Sequence, residues 1–285
     1  AIKALTFGTN GFYQTYADST QVGKDANYAD TSYNSVEFDG SNDYLTRGGA
    51  LTGLSDGDEG TVSMWFKMNG GDGAHQYFFT DDGGHIQLRR LNTNKIRMMC
   101  HTAGASELAD FETSASHIAD GQWHHFLASW NTTTDDQYIY VDGVADLTVN
   151  NSTTGTIDYT KADYAIGSTT GGASKLDADL AEFWFTDEYL DLSSSANRDK
   201  FFNSTTGEPV DVGSDGSTPT GTAAIVYCQG ATATWHTSDG SGGGFTENGA
   251  LTDGAAVRSV NANDFTNNNT VVTSTHTPTN QFALF

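Results

Sequence analysis

Three carboxylates in one short stretch, Asp177-Ala-Asp-Leu-Ala-Glu182, carry the clearest catalytic spacing in this sequence. Alternate side chains on a β-strand share a face, and a single bulge brings the third carboxylate onto the face of the first two. Two carboxyls about 5 Å apart suit retaining hydrolysis of a glycosidic bond, one as nucleophile and the other as acid/base. The first position here is Asp177, one carbon shorter than Glu, which limits the reach of a nucleophile.

Hard-cation binding is the second chemistry, because calcium takes about six to eight oxygen ligands from carboxylates, carbonyls and water. Asp39, Asp43 and Glu182 are the candidate ligands if the first and last strands of a sandwich run together at an edge. Asp56-Gly-Asp-Glu59 and Gly70-Gly-Asp-Gly73 are alternatives, and ordinary Asx turns with solvated acids explain all of these motifs equally. His124 and His125 are adjacent, point to opposite faces of a strand and do not easily share a metal. His125 is expected to pack beside Trp123 with a hydrogen bond, and His75, His85, His101 and His117 have no motif spacing. Sugar recognition calls for exposed rings that stack on an apolar sugar face. Tyr77 and Trp235-His236 are the candidates, whereas Trp65, Trp123, Trp130 and Trp184 are expected in the core. No nucleophile elbow, phosphate loop or dinucleotide fingerprint is present.

The elements that must position these residues read as strands. Gly121 to Val144 is a hairpin: an aromatic run from Trp123 to Trp130, a turn at Asn131–Asp136, then Tyr138 to Val141. Trp123, Phe126, Leu127 and Trp130 do not share one parity, which predicts a strand buried on one face and partly covered on the other. Val62, Met64, Phe66 and Met68 alternate cleanly. Further strands are predicted at 4–7, 36–38 and 44–45, 77–80, 85–88, 95–101, 164–166 and 179–185, with a helical turn or two after Ser193. The architecture expected is an all-β, two-sheet antiparallel jelly-roll sandwich with extended β-arms at both ends. The divisions are residues 1–34, 35–205 and 206–285. Beyond residue 205 the chain turns to Gly, Ser, Thr, Asp and Asn, with strands expected at 223–228, 231–235 and 282–285. Its apolar content is too low to offset the ordering entropy alone.

Composition excludes some partners. With 36 acidic and 13 basic residues the net charge is −23, a field that repels phosphate backbones and disfavours nucleic acid. Residues 1–11 lack the apolar run of a secretory leader, and no apolar run of roughly 18 residues occurs, so membrane insertion is not expected. Cys100 and Cys228 read as small buried residues, with a disulfide as the alternative.

The succession Val36-Glu-Phe-Asp-Gly-Ser-Asn-Asp-Tyr-Leu, Thr61-Val-Ser-Met-Trp-Phe-Lys, Gly121-Gln-Trp-His-His-Phe, Tyr138-Ile-Tyr-Val-Asp-Gly and Leu180-Ala-Glu-Phe-Trp-Phe resembles the laminin-G-like branch of the concanavalin A-like lectin/glucanase superfamily. The resemblance covers about residues 35 to 205. It implies a jelly roll that binds glycans or proteins, often with one calcium ion, and a related branch that hydrolyses β-glucans. Phe7-Gly-Thr-Asn-Gly-Phe-Tyr, the stretch from Pro209 to Thr222 and Thr277-Pro-Thr-Asn-Gln-Phe-Ala resemble segments of laminin-G-like virion proteins of tailed bacteriophages. The expectation is therefore a non-enzymatic structural and adhesive virion protein, a capsid decoration or tail-fibre component. Coat or tail subunits and host-surface glycans would be its partners, calcium its candidate cofactor, and a homo-oligomer its assembly. A carbohydrate-binding module and a β-glucanase are the alternatives.

Overall fold

The alternation Val62, Met64, Phe66, Met68 becomes the inner face of a long central strand, and the rest of the chain is arranged about it. The computed structural model describes residues 33–257. In chain order the first strands are β1 (Val36–Asp39), β2 (Tyr44–Gly48), β3 (Glu59–Met68), β4 (Gln76–Asp81), β5 (Ile86–Arg90) and β6 (Ile96–His101). There follow β7 (Glu107–Glu112), β8 (His124–Asn131), β9 (Asp136–Val141), β10 (Val144–Ala145), β11 (Thr148–Ser152), β12 (Asp163–Ile166) and β13 (Asp177–Thr186). The C-terminal part holds α1 (Ser195–Arg198), β14 (Phe202–Asn203), β15 (Glu208–Pro209), β16 (Val226–Cys228), α2 (Thr232–Trp235), β17 (Thr246–Asn248) and β18 (Thr252–Asp253).

Two antiparallel sheets form the sandwich expected from the strand pattern. One runs β10-β9-β8-β3-β13-β1-β18, with β16 also on β13; the other runs β11-β7-β6-β5-β4-β12-β2-β17. Their inner faces meet in one apolar core that includes Phe38, Phe66, Phe79, Phe111, Trp130, Ile166 and Phe183. The hairpin of β8 and β9 is present with the register Phe126 opposite Val141 and Trp130 opposite Gln137. Trp130 is fully buried and donates from Nε1 to the Tyr159 hydroxyl at 2.9 Å, which satisfies its one polar atom.

The outer face of the first sheet is buried as well, which explains the broken parity in β8. The segment after β13 folds back over this face and builds two smaller apolar clusters. One joins Leu127 and Trp184 to Leu192, Phe201, Val212, Ala224 and Tyr227; the other joins Trp65 and Ala181 to Phe202 and Val257. Thr61 pins the cover, donating to the Glu188 carbonyl at 2.8 Å and accepting from the Leu190 amide at 3.1 Å.

The expected boundary at residue 205 is corrected for the described part of the C-terminal segment. Residues 33–257 belong to one compact unit, and β16, β17 and β18 pair with β13, β2 and β1. The stretch at 231–235, expected as a strand, is the short helix α2, and it delivers Trp235 into the main core against Phe38. A segment too poor in apolar residues to fold alone needs only a few anchors when a finished sheet edge supplies its hydrogen-bond partners. Residues 1–32 and 258–285, with the strands expected at Ala4–Phe7 and Phe282–Phe285, lie outside the described residues. Cys100 and Cys228 are both buried free thiols within the core.

Candidate functional site

The carboxylate row on β13 is taken apart by a bulge. The first half of the strand pairs with β1, the second with β16, and the register against β3 shifts between Ala181 and Trp184. Glu182 occupies the extra position with φ +49°, a left-handed conformation costly for a side chain of this size. Its carboxyl is buried beneath the covering segment, where the Tyr227 hydroxyl donates to Oε2 at 2.5 Å. Burial raises its pKa to about 7, with Asp211 and Asp239 adding to the rise and the Tyr227 hydrogen bond opposing it. Asp179 has a different fate: it accepts from Lys67 Nζ at 3.0 Å, Asn69 Nδ2 at 2.7 Å and the Ala255 amide at 3.0 Å. Asp177 stays half-buried at the strand's start, its pKa raised by burial and by Glu37 and Asp39. One member of the row is thus saturated and another is turned into the protein, so no free acid and nucleophile share a face.

The calcium ligands do not come together either. Asp39 Oδ1 accepts the amides of Ser41, Asn42 and Asp43 at 2.8, 3.0 and 3.3 Å, and these backbone bonds hold its carboxyl below the ordinary range. Asp43 is buried and ties down the turn at Ala250, whose amide donates at 2.9 Å. Asp56 accepts from Tyr159 and Thr160, Glu59 from Asn131, and Asp72 from Arg90 and Ala119. Among the described residues no three His, Cys, Asp or Glu side chains are grouped to hold a metal ion. The residues present do not fit the calcium ion that the superfamily resemblance implies.

Among the aromatic candidates, Trp235 is corrected outright, because its side chain is fully buried and unavailable to a sugar. His236 is half-buried and faces Glu247, Nδ1 to Oε2, at 3.5 Å. Tyr77 is half-buried in the second sheet, accepts from Arg89 Nη1 at 3.0 Å and donates to Gln87 at 3.3 Å. His125 is buried between Trp65 and Phe202 and bonded to Ser63 Oγ through Nε2 at 2.9 Å, and burial lowers its pKa to about 3. The packing centre is as expected, but its neighbours are Trp65 and Phe202.

The residue the sequence analysis passed over is Tyr44. Leu45 faces the core, so Tyr44, Thr46 and Gly48 line the opposite, outer face of β2. Register sets Asn248 of β17 beside Tyr44, and Asp163 of β12 beside Gly48. With Arg47, Tyr164 and the loop at Thr170–Gly171 these residues line an open cleft of about 380 Å³. Gly172 sits at φ +74°, and a Cβ there would lie 3.0 Å from the Tyr44 hydroxyl, so the loop closes on the ring only because this residue is glycine. Lys175 Nζ lies 5.5 Å from the ring centroid and covers one face of the ring. The cleft thus offers a flat aromatic side chain, a carboxylate, an amide and a hydroxyl, the mixture that recognises a polyol. Its sequence signal was weak because its parts come from four separate segments.

The molecule is thus a two-sheet jelly-roll sandwich with a polar cleft on an open sheet face. The Laminin_G_3 model of the concanavalin A-like lectin/glucanases superfamily matches residues 39–194, and the chain belongs to that superfamily. A candidate carbohydrate-binding protein from Bacteroides ovatus is similar in structure, with 11% identity and a TM-score of 0.55; the alignment covers 79% of this chain and 61% of that one. A heptameric SAP-like pentraxin from Limulus polyphemus aligns at 15% identity and a TM-score of 0.44, over 58% of this chain and 81% of its own. The binding domain of botulinum neurotoxin serotype G aligns at 10% identity and a TM-score of 0.41, over 53% of this chain and 38% of its own. At such identities the likeness concerns the fold. No curated protein matches in sequence. Among the described residues no helix is long and apolar enough to cross a membrane.

Proposed function

We propose that this chain is a non-enzymatic recognition domain that binds glycans in the Tyr44 cleft. The observation that carries the reading is the convergence of Tyr44, Thr46, Asp163 and Asn248 on one open sheet face of a lectin-type sandwich. The commitment of Asp179 to Lys67 and of Glu182 to Tyr227 supports binding over β-glucan hydrolysis. The test is a glycan array probed with the full chain and with Tyr44→Ala. Wild type should bind at least one glycan class, and the variant should lose that signal while melting at the same temperature. An array silent for wild type would sink the reading.

We further propose that the domain serves on a virion surface, as a capsid decoration or tail component that displays this cleft. Support comes from the likeness of Pro209 to Thr222 to phage virion segments. Immunogold labelling of intact particles checks the location, and light scattering on the full chain checks the homo-oligomer.

A further inference from the structure

The basic residues of the second sheet and its loops fall into two groups. Arg90, Lys95, Arg97 and Lys161 pair with Asp72, Glu112, Asp110 and Asp158. Arg47, Lys175 and Arg89 have no carboxylate within ion-pair distance among the described residues, although the chain holds 36 acidic residues against 13 basic ones. Each of the three has donors to spare. Arg47 gives Nε and Nη2 to the Ala50 carbonyl at 3.2 and 3.0 Å, and Nη1 to the Gly244 carbonyl at 2.9 Å. A guanidinium carries five N–H groups, so one on each Nη is left uncommitted. Lys175 gives one of three to the Gly172 carbonyl at 2.5 Å. Arg89 donates to the Tyr77 hydroxyl at 3.0 Å and to Met99 Sδ at 3.4 Å, again leaving one N–H on each Nη.

These cations follow one another across the open face with two tyrosine rings between them. Arg47 and Tyr44 line the same cleft, and Lys175 Nζ lies 5.5 Å from the Tyr44 ring centroid. Ser174, the residue before Lys175, accepts the Tyr77 amide at 3.2 Å, which ties this loop to β4. Arg89, opposite Tyr77 in the register of β5, lies 5.7 Å from that ring's centroid. Only β12 separates β2 from β4, so the strands that carry the two rings run about 10 Å apart.

We infer that this face binds an acidic oligosaccharide, a chain bearing uronate carboxylates, in a site that runs from the Tyr44 cleft to Tyr77 and Arg89. The carboxylates accept the spare N–H groups of Arg47, Lys175 and Arg89, charge-assisted bonds roughly twice as strong as neutral ones. Sugar rings stack on the tyrosines, and the exposed Asp163, beside Gly48 at the far end of the cleft, accepts from hydroxyls. The net charge of −23 repels an anion at long range, but salt screens that repulsion beyond about 8–10 Å. Contact with three cations that no carboxylate neutralises then decides the outcome. The inference rests on the glycan-binding reading above.

Calorimetric titration of the full chain with matched sugars, uronate oligomers against neutral hexose oligomers of the same linkage, tests it. The uronate oligomer should bind at least about tenfold more tightly than its neutral partner. Arg89→Gln and Lys175→Gln, both on the open face, should each weaken uronate binding by about tenfold and narrow the acid-to-neutral ratio. Equal or stronger binding of the neutral sugar would overturn the inference and leave glycan binding standing, and this comparison needs no variant to fold. A ratio unchanged in either variant would also overturn it. Failure of both sugar classes to bind wild type would overturn the inference and the reading beneath it.

Discussion

The two sheets of this sandwich have outer faces of opposite character. The face formed by β8, β3 and β13 is covered by the chain that follows β13, so Trp65, Leu127, His125 and Trp184 lie beneath a second layer. The face formed by β5, β4, β12, β2 and β17 is uncovered and carries Arg89, Tyr77, Asp163, Tyr44 and Asn248. The covered face commits its polar groups internally, as the Ser63–His125 and Lys67–Asp179 contacts do. The open face keeps polar groups turned to water, where a ligand can use them. Carboxylates that look catalytic in sequence fall on the covered side, and the cleft that sequence did not single out falls on the open one.

The sharpest way to break that contrast is to remove an anchor of the cover. Trp184 is buried, packs edge-on against Phe201 at 5.0 Å and donates to the Gly216 carbonyl at 2.8 Å. Trp184→Ala should cost about 3–5 kcal/mol in urea unfolding. A loss below about 1 kcal/mol would mean that the cover is not part of the cooperative fold.

Glu182 provides the next largest effect. Its folded pKa is about 7 against an ordinary 4.5, so between those values the folded state holds a proton that the unfolded state has released. Its contribution is therefore fully present below about pH 4.5 and lost as pH rises to about 7, a fall of about 3 kcal/mol. Glu182→Gln keeps an acceptor for Tyr227 and should flatten that slope, leaving the variant more stable than wild type at alkaline pH. Unfolding curves across this range measure it, and parallel slopes for the two proteins would refute it.

On the open face the costs are smaller. Arg97, partly exposed, pairs through two nitrogens with the buried Asp110, and Arg97→Gln should cost about 2 kcal/mol in the same assay because that carboxylate loses its charged partner. Tyr44→Ala should change stability by less than about 1 kcal/mol while abolishing glycan binding, the signature of a surface kept for recognition. Smallest of all, chelator or added calcium should leave the melting temperature unchanged, because Asp39 and Asp43 each have an oxygen engaged by turn amides and no third carboxylate, His or Cys is grouped with them among the described residues. A rise of several degrees with calcium would show that the open loops can rearrange around an ion.

Much of the fold was legible in the sequence. The alternation of Val62 to Met68, the aromatic hairpin around Trp130 and the Gly/Asn/Asp turns each express a local rule, since side chains alternate on a strand and turns need particular residues. Strands β7 and β11 escaped notice because Glu107–Glu112 and Thr148–Ser152 have little apolar alternation and take their place from neighbouring strands. Trp235 and Tyr44 are the instructive pair. Each is an aromatic residue in a polar stretch, and sequence made the first the better surface candidate. The helical turn at Thr232–Trp235 drives Trp235 into the core, whereas β2 turns Tyr44 outward at a point where the cover does not reach.

The sequence by itself determined the strands, the two-layer class and the acidity that disfavours nucleic acid, because these follow from periodicity, turn chemistry and summed charge. Only the tertiary structure decided which carboxylates are spent and which stay free. Asp179 and Glu182 differ from Asp163 in what distant chain segments bring to them: Lys67 and Ala255 to one, Tyr227 to another, and no ion-pair partner among the described residues to the third. Burial and partner supply are set by residues distant in sequence, and local spacing holds no record of them.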